Sequence, residues 1–451
     1  MRIPTHELEA KLTELVRRPE VPELAALLEE LQPYDLAEVL PAFGYDDIRT
    51  LLGHLDPPVA AEVLEHLEYF DQYRILDHMD RGLARRIVEH MPSDALADLV
   101  GAIHPKQAQQ LIDLLPPEHA RVIEGLLDYP EYTAGGLMTV EYISVRSGMT
   151  VEQVLQHIRK VGAGAETVAY IYVIDGAGRL VGVVSVRELL LAEPDTVIAD
   201  IMGTQVVAVP ATMHQEEVAQ VVAQYDFVAI PVVDAHGRMA GIITVDDLVD
   251  VIHDEATEDF HKLGGSEPLT ETYFQTPVHT LVRKRIGWIL ILFLAEAYTG
   301  TVLRHFESVL SEVVALTFFI PLLIGTGGNT GSQVVTTLVR GLAVGEVRYR
   351  DMGRVLLREL GSGLMIGLVM GGATFLRAYT LGVGLDVGRV VALTALFIVV
   401  WASAVAAVLP LILHRLRVDP AIVSGPFITT VVDGTGLFMY FTIARMMLGL
   451  G

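Results

Sequence analysis

The sequence predicts a multidomain chain: an all-α helical-repeat N-domain, an α+β tandem pair of small modules, and an α-helical polytopic membrane domain. Three observations predict it. Acidic and apolar residues are segregated along the chain, a twelve-residue unit recurs through residues 31–126, and an eighteen-residue pattern starting at Tyr172 recurs at a constant offset of 59.

The segregation is large. A mean hydropathy of +0.44 is high for a soluble chain, yet Asp and Glu number 56 against 32 Lys and Arg. Residues 281–451 carry 9 acidic and 14 basic side chains, which leaves a net −29 of the total −24 on residues 1–280. An acidic soluble half of that kind repels nucleic acid and concentrates cations, so no nucleic-acid partner is expected. The absence of cysteine excludes disulfides, zinc–thiolate sites and thiol catalysis. Glu7, Glu9 and Glu14 stand where a secretory signal would need an apolar run.

Each unit of the first repeat, from LQPYDLAEVLPA at residue 31 to LPPEHARVIEGL at residue 115, opens on an apolar residue, continues with Pro or a small polar or acidic residue, and carries an apolar pair toward its end. Pro and acids suit the first turn of a helix, and the apolar positions line one face. A single short helix cannot bury that face, so a stacked helical solenoid over residues 1–130 is predicted.

In the second repeat Asp175, Gly178, Gly182, Ser185 and Glu188 match Asp234, Gly237, Gly241, Thr244 and Asp247. Two β-branched runs around an Asp-x-x-Gly turn read as a hairpin, and the hydroxyl after the second run caps the helix that leaves it. Thr150 and the Gln215-Glu216-Glu217 stretch mark helix starts upstream of each hairpin. The pattern resembles a tandem pair of CBS domains, placed at 131–253. That resemblance implies a cleft for an adenine nucleotide such as ATP, with Glu188 and Asp247 at the ribose-binding position and Tyr170 and Arg187 completing the first cleft; the alternative is a purely structural cleft.

Asp246, Asp247, Asp250, Asp254, Glu255, Glu258 and Asp259 follow at helical spacings. Their mutual repulsion predicts a helix that needs bridging cations, a divalent-cation sensor beside the membrane, and the bland alternative is a solvated acidic face. We place this acidic linker helix at 254–281.

Residues 282–451 read as five spans, near 285–305, 310–339, 355–380, 388–414 and 420–447, each long enough for the ~20 residues a bilayer requires. Ten basic residues (Arg283, Lys284, Arg285, Arg340, Arg348, Arg350, Arg354, Arg358, Arg415, Arg417) flank one side against Arg304, Arg377 and Arg389 on the other. The positive-inside tendency then puts the N-terminal half in the cytoplasm and, with an odd number of spans, the C-terminus outside. The second span contains Gly325-Thr-Gly-Gly-Asn-Thr-Gly331, a poor helix by propensity, predicted to unwind and to offer oxygens from Thr326, Asn329, Thr330, Ser332 and Gln333; close helix packing by small residues is the alternative. The fifth span holds one carboxylate, Asp433. A charge at that depth costs several kcal/mol, roughly 2.5 or more, and faces water or a partner. Glu296 in the first span belongs to no motif, and a hydrogen bond to a neighbouring helix is expected of it rather than an ion or proton relay.

Together Ala134-Gly-Gly-Leu-Met138, Ala256-Thr-Glu-Asp-Phe-His-Lys-Leu-Gly264, Gly325–Gly331, Val418-Asp-Pro-Ala421 and Asp433-Gly-Thr-Gly-Leu437 make the whole chain resemble the MgtE family of magnesium channels or transporters. The resemblance implies a homodimer in the cytoplasmic membrane whose fifth spans line one pore, with hydrated Mg2+ passing Asp433. It further implies an ion path including Gly325, Gly328, Asn329, Thr429 and Asp419. Closure by cytoplasmic Mg2+ is implied too, through Glu62, Asp94 and Asp98, through Gly136, Glu216, Asp226, Asp247 and Asp250, and through Glu255, Glu258 and Asp259. Three positions depart from the family pattern: Ser332, Gly425, and His214 ahead of Gln215-Glu216-Glu217.

Mg2+ chemistry agrees, since this ion keeps several waters and binds through one or two carboxylates; Mn2+, Co2+ and Ni2+ accept similar oxygen sites. No protease, P-loop or hydrolase motif is present, so no enzyme is expected. The competing readings, a CBS-regulated carrier for another ion or osmolyte and a membrane-tethered signalling protein, predict a basic midplane or featureless spans.

Overall fold

The computed structural model describes residues 4–17, 22–269, 273–274, 276–416 and 418–450. Arg417, counted above among the flanking cations, lies outside them. Two compact units divide the chain, Met1–Val251 and Ile252–Gly451.

In the first unit α1 (Thr5–Val16) and α2 (Pro22–Glu30) precede eight helices that follow the twelve-residue repeat: α3 (Pro33–Val39), α4 (Tyr45–Leu52), α5 (Pro57–Glu65), α6 (Tyr69–Asp77), α7 (Arg81–Val88), α8 (Ser93–Ala102), α9 (Pro105–Ile112) and α10 (Pro117–Leu126). Proline opens α3, α5, α9 and α10, where its missing N–H costs nothing. Most helices pack against the one two units away, α3 on α5, α5 on α7, α4 on α6, α6 on α8 and α8 on α10, which buries one stripe of each in a continuous core.

Two α+β modules follow the short α11 (Ala134–Leu137). The first contains β1 (Ser144–Val145), α12 (Val151–Val161), β2 (Tyr170–Ile174), β3 (Leu180–Ser185), α13 (Val186–Leu191) and α14 (Ile198–Ile201); the second contains β4 (Val209–Pro210), α15 (Gln215–Tyr225), β5 (Ala229–Val233), β6 (Met239–Thr244) and the start of α16 (Val245–Leu263). Each sheet pairs a parallel strand with an antiparallel hairpin, and Tyr170 faces Ser185 as Ala229 faces Thr244. At the hairpin tips the Asp175 carboxylate accepts from Ala177 N at 2.8 Å and Arg179 N at 3.0 Å, and Asp234 does the same for His236 and Arg238. Gly178 and Gly237 take φ of 79° and 73° there, which a side chain would oppose. The second module shares its core with the helical repeats, whereas the first has a core of its own.

The second unit holds α17 (Val278–His305), α18 (Glu307–Glu312), α19 (Ile320–Ala343), α20 (Met352–Leu381), α21 (Leu385–Arg415) and α22 (Gly425–Leu448). Five segments among the described residues are long and apolar enough to cross a membrane, with ends a few residues from those read off the sequence. The second span corrects an expectation: α19 is continuous through Gly325–Gly331 and does not unwind. Its threonines turn inward on the backbone, Thr326 donating to Leu322 O at 2.7 Å and Thr330 to Thr326 O at 2.8 Å. Its glycines make room for neighbours. A Cβ on Gly327 would stand 2.5 Å from Ile398, one on Gly328 would stand 2.8 Å from Thr429, and one on Gly331 would strike Ile428. Helix packing therefore decides these glycines, and α-helical hydrogen bonding is what a bilayer rewards most.

Candidate functional site

Asp433 lies on α22 between Val432 and Gly434, both buried, and is itself only 8 % exposed. Its Oδ1 has no hydrogen-bond partner among the described residues. An ionised carboxylate left so is expensive unless a cation or water reaches it. Gly328 and Thr429 touch on the packed side of α22, and Thr429 Oγ1 donates to Gly425 O at 3.0 Å. Gly325 faces open space, and Asn329 is exposed on α19. The departures Ser332 and Gly425 face each other, Ser332 Oγ donating to Gly425 O at 3.4 Å.

Asp419 is not beside Asp433. It precedes α22, accepts from Ala421 N at 2.8 Å, and accepts from Lys262 Nζ at 2.5 Å; Lys262 also pairs with Glu258. Burial, then the Asp419 charge, pushes Asp259 up to about 6. Glu258, Asp259 and Asp419 thus form an anionic group with one built-in cation, at the end of the acidic helix. Glu255 is half-buried one turn earlier.

A second acidic group lies in the first unit. Asp94, at the start of α8, has a buried Oδ1 without a partner among the described residues, and burial, then Asp247, raises it to about 8. Burial, then Glu166 and Asp247, raises Glu65 to about 7 although its side chain keeps contact with solvent. Asp98 is raised to about 6 by burial, then by Glu131 and Asp247. Burial raises Asp247 as well, against the hydrogen bond that Thr244 Oγ1 donates at 2.6 Å. Beneath them Ser93 Oγ donates to Glu141 Oε2 at 2.6 Å, and Thr139 also bonds to Glu141. The structure thus gathers Asp94, Asp98 and Asp247 and adds Glu65, Glu141 and Glu166. Glu62 contributes charge toward Glu65 from the exposed side of α5. Among the described residues no three acid or histidine side chains converge as a preformed cage. A hydrated cation, held through one or two carboxylates, fits such a loose anionic seam.

The remaining expected ligands are spread out. Gly136, in α11, approaches the backbone so closely that a Cβ would stand 2.6 Å from Glu131 O. Asp226 ends α15 with φ 54°, and Asp250 is exposed on α16. His214 caps α15, accepting from Glu216 N at 3.4 Å.

In the first module Tyr170, Arg187 and Glu188 line one cleft of about 580 Å3, with Ala169, Ser185 and Gly203. One Glu188 oxygen, Oε2, is engaged by Ser185 N and Oγ, both at 2.8 Å. Arg187, the cation of this lining, is exposed.

Comparison with known proteins matches residues 31–132 to the MgtE intracellular N domain, 134–195 and 198–254 to CBS domains, and 320–443 to MgtE, a divalent cation transporter. The chain is 46% identical over 358 residues to the Magnesium transporter MgtE of Thermus thermophilus, covering 79% of each, and 34% identical to that of Bacillus subtilis, covering 78% of each. It also superposes on a crystal structure of the cytosolic domain of the Mg2+ channel MgtE in complex with ATP, with 43% identity and a TM-score of 0.52 over 54% of this chain and 99% of that one.

Proposed function

The chain belongs to the MgtE family of magnesium transporters, and from that premise we propose that Asp433 is the carboxylate its transported Mg2+ passes. The protein moves Mg2+ across a membrane. The observation that carries the site is the Asp433 carboxylate, nearly enclosed in α22 with Oδ1 unpartnered. A carboxylate there attracts a divalent cation that keeps part of its water shell.

Regulation belongs to the acidic seam. Asp94, Asp98 and Asp247, with Glu65 and Glu166, repel one another in the absence of metal, so cytoplasmic Mg2+ that binds the seam favours the compact arrangement by mass action. Glu62, Gly136, Glu216, Asp226 and Asp250 extend this sensor, and Glu255, Glu258 and Asp259 form a second set of regulatory acids on α16. The first CBS cleft takes an adenine nucleotide, with Arg187 toward its phosphates. A homodimer in the lipid bilayer, with the N-terminal half cytoplasmic and the C-terminus outside, follows from the same reading and from the flanking cations. Mg2+ uptake by proteoliposomes carrying the full chain tests the ion site: Asp433→Asn should lose most flux while remaining folded, and wild-type flux in that variant would refute it.

A further inference from the structure

We propose that Glu296 of α17 is a second carboxylate of the cation site at Asp433, so that one hydrated divalent cation is held between the two; the inference rests on the reading of Asp433 given above. The helix register carries it. Trp288 Nε1, near the start of α17, donates to Ser424 Oγ, the N-cap of α22, at 3.3 Å. Ten residues further along both helices, a Cβ on Gly434 would stand 2.5 Å from the Tyr298 ring and 3.2 Å from Thr299 Oγ1. Two contacts with the same offset of 136 mean that α17 and α22 run parallel and in step, because each rises about 1.5 Å per residue. Glu296 then stands level with Val432, one residue from Asp433, and its charge bears on the Asp433 carboxylate.

Among the described residues no cation pairs with Glu296 or Asp433. Glu296 is exposed on α17, and among the described residues it makes no ion pair and no hydrogen bond to a neighbouring helix, contrary to the role expected for it from sequence. On its own helix the cations stand at Arg283, Lys284, Arg285 and Arg304; the nearest, Arg304, lies eight residues on, about 12 Å along the axis. Asp433 supplies an oxygen that is buried and, among the described residues, unpartnered. Space exists beside the pair: on Gly300, one turn beyond Glu296, a Cβ would meet nothing within 4 Å. Two neighbouring anions at membrane depth repel and lose hydration together, whereas a divalent cation that keeps its waters satisfies both at once.

The test is Mg2+ uptake against Mg2+ concentration in proteoliposomes holding full-length wild-type protein, Glu296→Gln, Glu296→Asp or Asp433→Asn, each checked for assembly by size-exclusion chromatography. The Gln variant should raise KM about ten-fold, the scale of one charge-assisted contact, with a smaller change in maximal flux, and Asp should restore most of the affinity. An unchanged KM in Glu296→Gln, or Gln and Asp variants that behave alike, overturns the proposal. So does an imposed pH gradient that drives uptake in wild type but not in Glu296→Gln, since that makes Glu296 a proton relay. Wild-type flux in Asp433→Asn would instead sink the ion-site reading itself, whatever Glu296 does.

Discussion

In the first CBS module the cleft between β3 and α13 is open and presents Tyr170, Arg187 and Glu188; at an offset of 59 the second module presents Ala229, Asp246 and Asp247. The strand that bridges β3 in the first module is at Gly203, with no side chain, while the bridge to β6 in the second is at Thr139, whose hydroxyl bonds to Glu141 beneath Ser93 of α8. One backbone plan therefore carries opposite charge at one place. The open, Arg-bearing cleft suits an anionic ligand, and the acidic seam against α8 suits cations. Both modules carry the Asp-x-x-Gly turns and the helix caps, which the fold requires, and they differ in the few side chains between them.

The most damaging change to the cation side of this contrast is Asp94→Asn with Asp247→Asn. Saturating Mg2+ at a hundred times its Kd stabilises a binding state by about 2.7 kcal/mol; in the double variant we expect the Mg2+-dependent rise in melting temperature to disappear, with a higher melting temperature than wild type in chelator. Differential scanning of the full-length protein reads both.

On the anion side, Arg187→Ala should weaken ATP binding by about ten-fold or more, the loss of a charge-assisted hydrogen bond, and leave the Mg2+ melting shift intact. Titration calorimetry with ATP checks it, and an equal effect of Asp246→Ala on ATP would erase the distinction between the modules.

A pH series separates the modules again. Asp94 at about 8, Glu65 at about 7 and Asp98 at about 6 are all raised, so the folded seam binds more protons than the unfolded chain. Their contribution is favourable at low pH and is lost as pH rises from about 4 to about 8. Metal-free protein should melt progressively lower over that range, and Mg2+ should flatten the slope. A melting temperature that rises from pH 6 to 8 in chelator would contradict the crowding of these acids.

The smallest effect is expected of Thr139→Ala, which removes the bonds to Ser93 and Glu141 and should cost about 1 kcal/mol, read as a small fall in melting temperature.

Much of this was legible beforehand. Prolines and apolar spacing located α3 to α10, and the repeated Asp175 and Asp234 turns located both hairpins. The continuity of α19 was not, because propensity scales charge Gly327, Gly328 and Gly331 for exposed backbone, whereas here neighbouring helices fill the space. Nor could the sequence assemble the seam, since Glu65, Glu141 and Glu166 lie in separate elements and obey no local spacing. The pairing of Lys262 with Asp419 spans 157 positions, and placing Glu296 one residue from the level of Asp433 needs the register of α17 on α22.

Hydrogen exchange on the full-length protein in lipid nanodiscs, with Mg2+ alone and with ATP alone, tests the contrast between the modules most directly. Mg2+ should slow exchange in α5, α8, residues 136–141 and the first turns of α16, and leave β2, β3 and α13 unchanged; ATP should do the reverse. Mg2+ protection centred on the first module, or protection of the α8 seam that survives Asp94→Asn with Asp247→Asn, would contradict it.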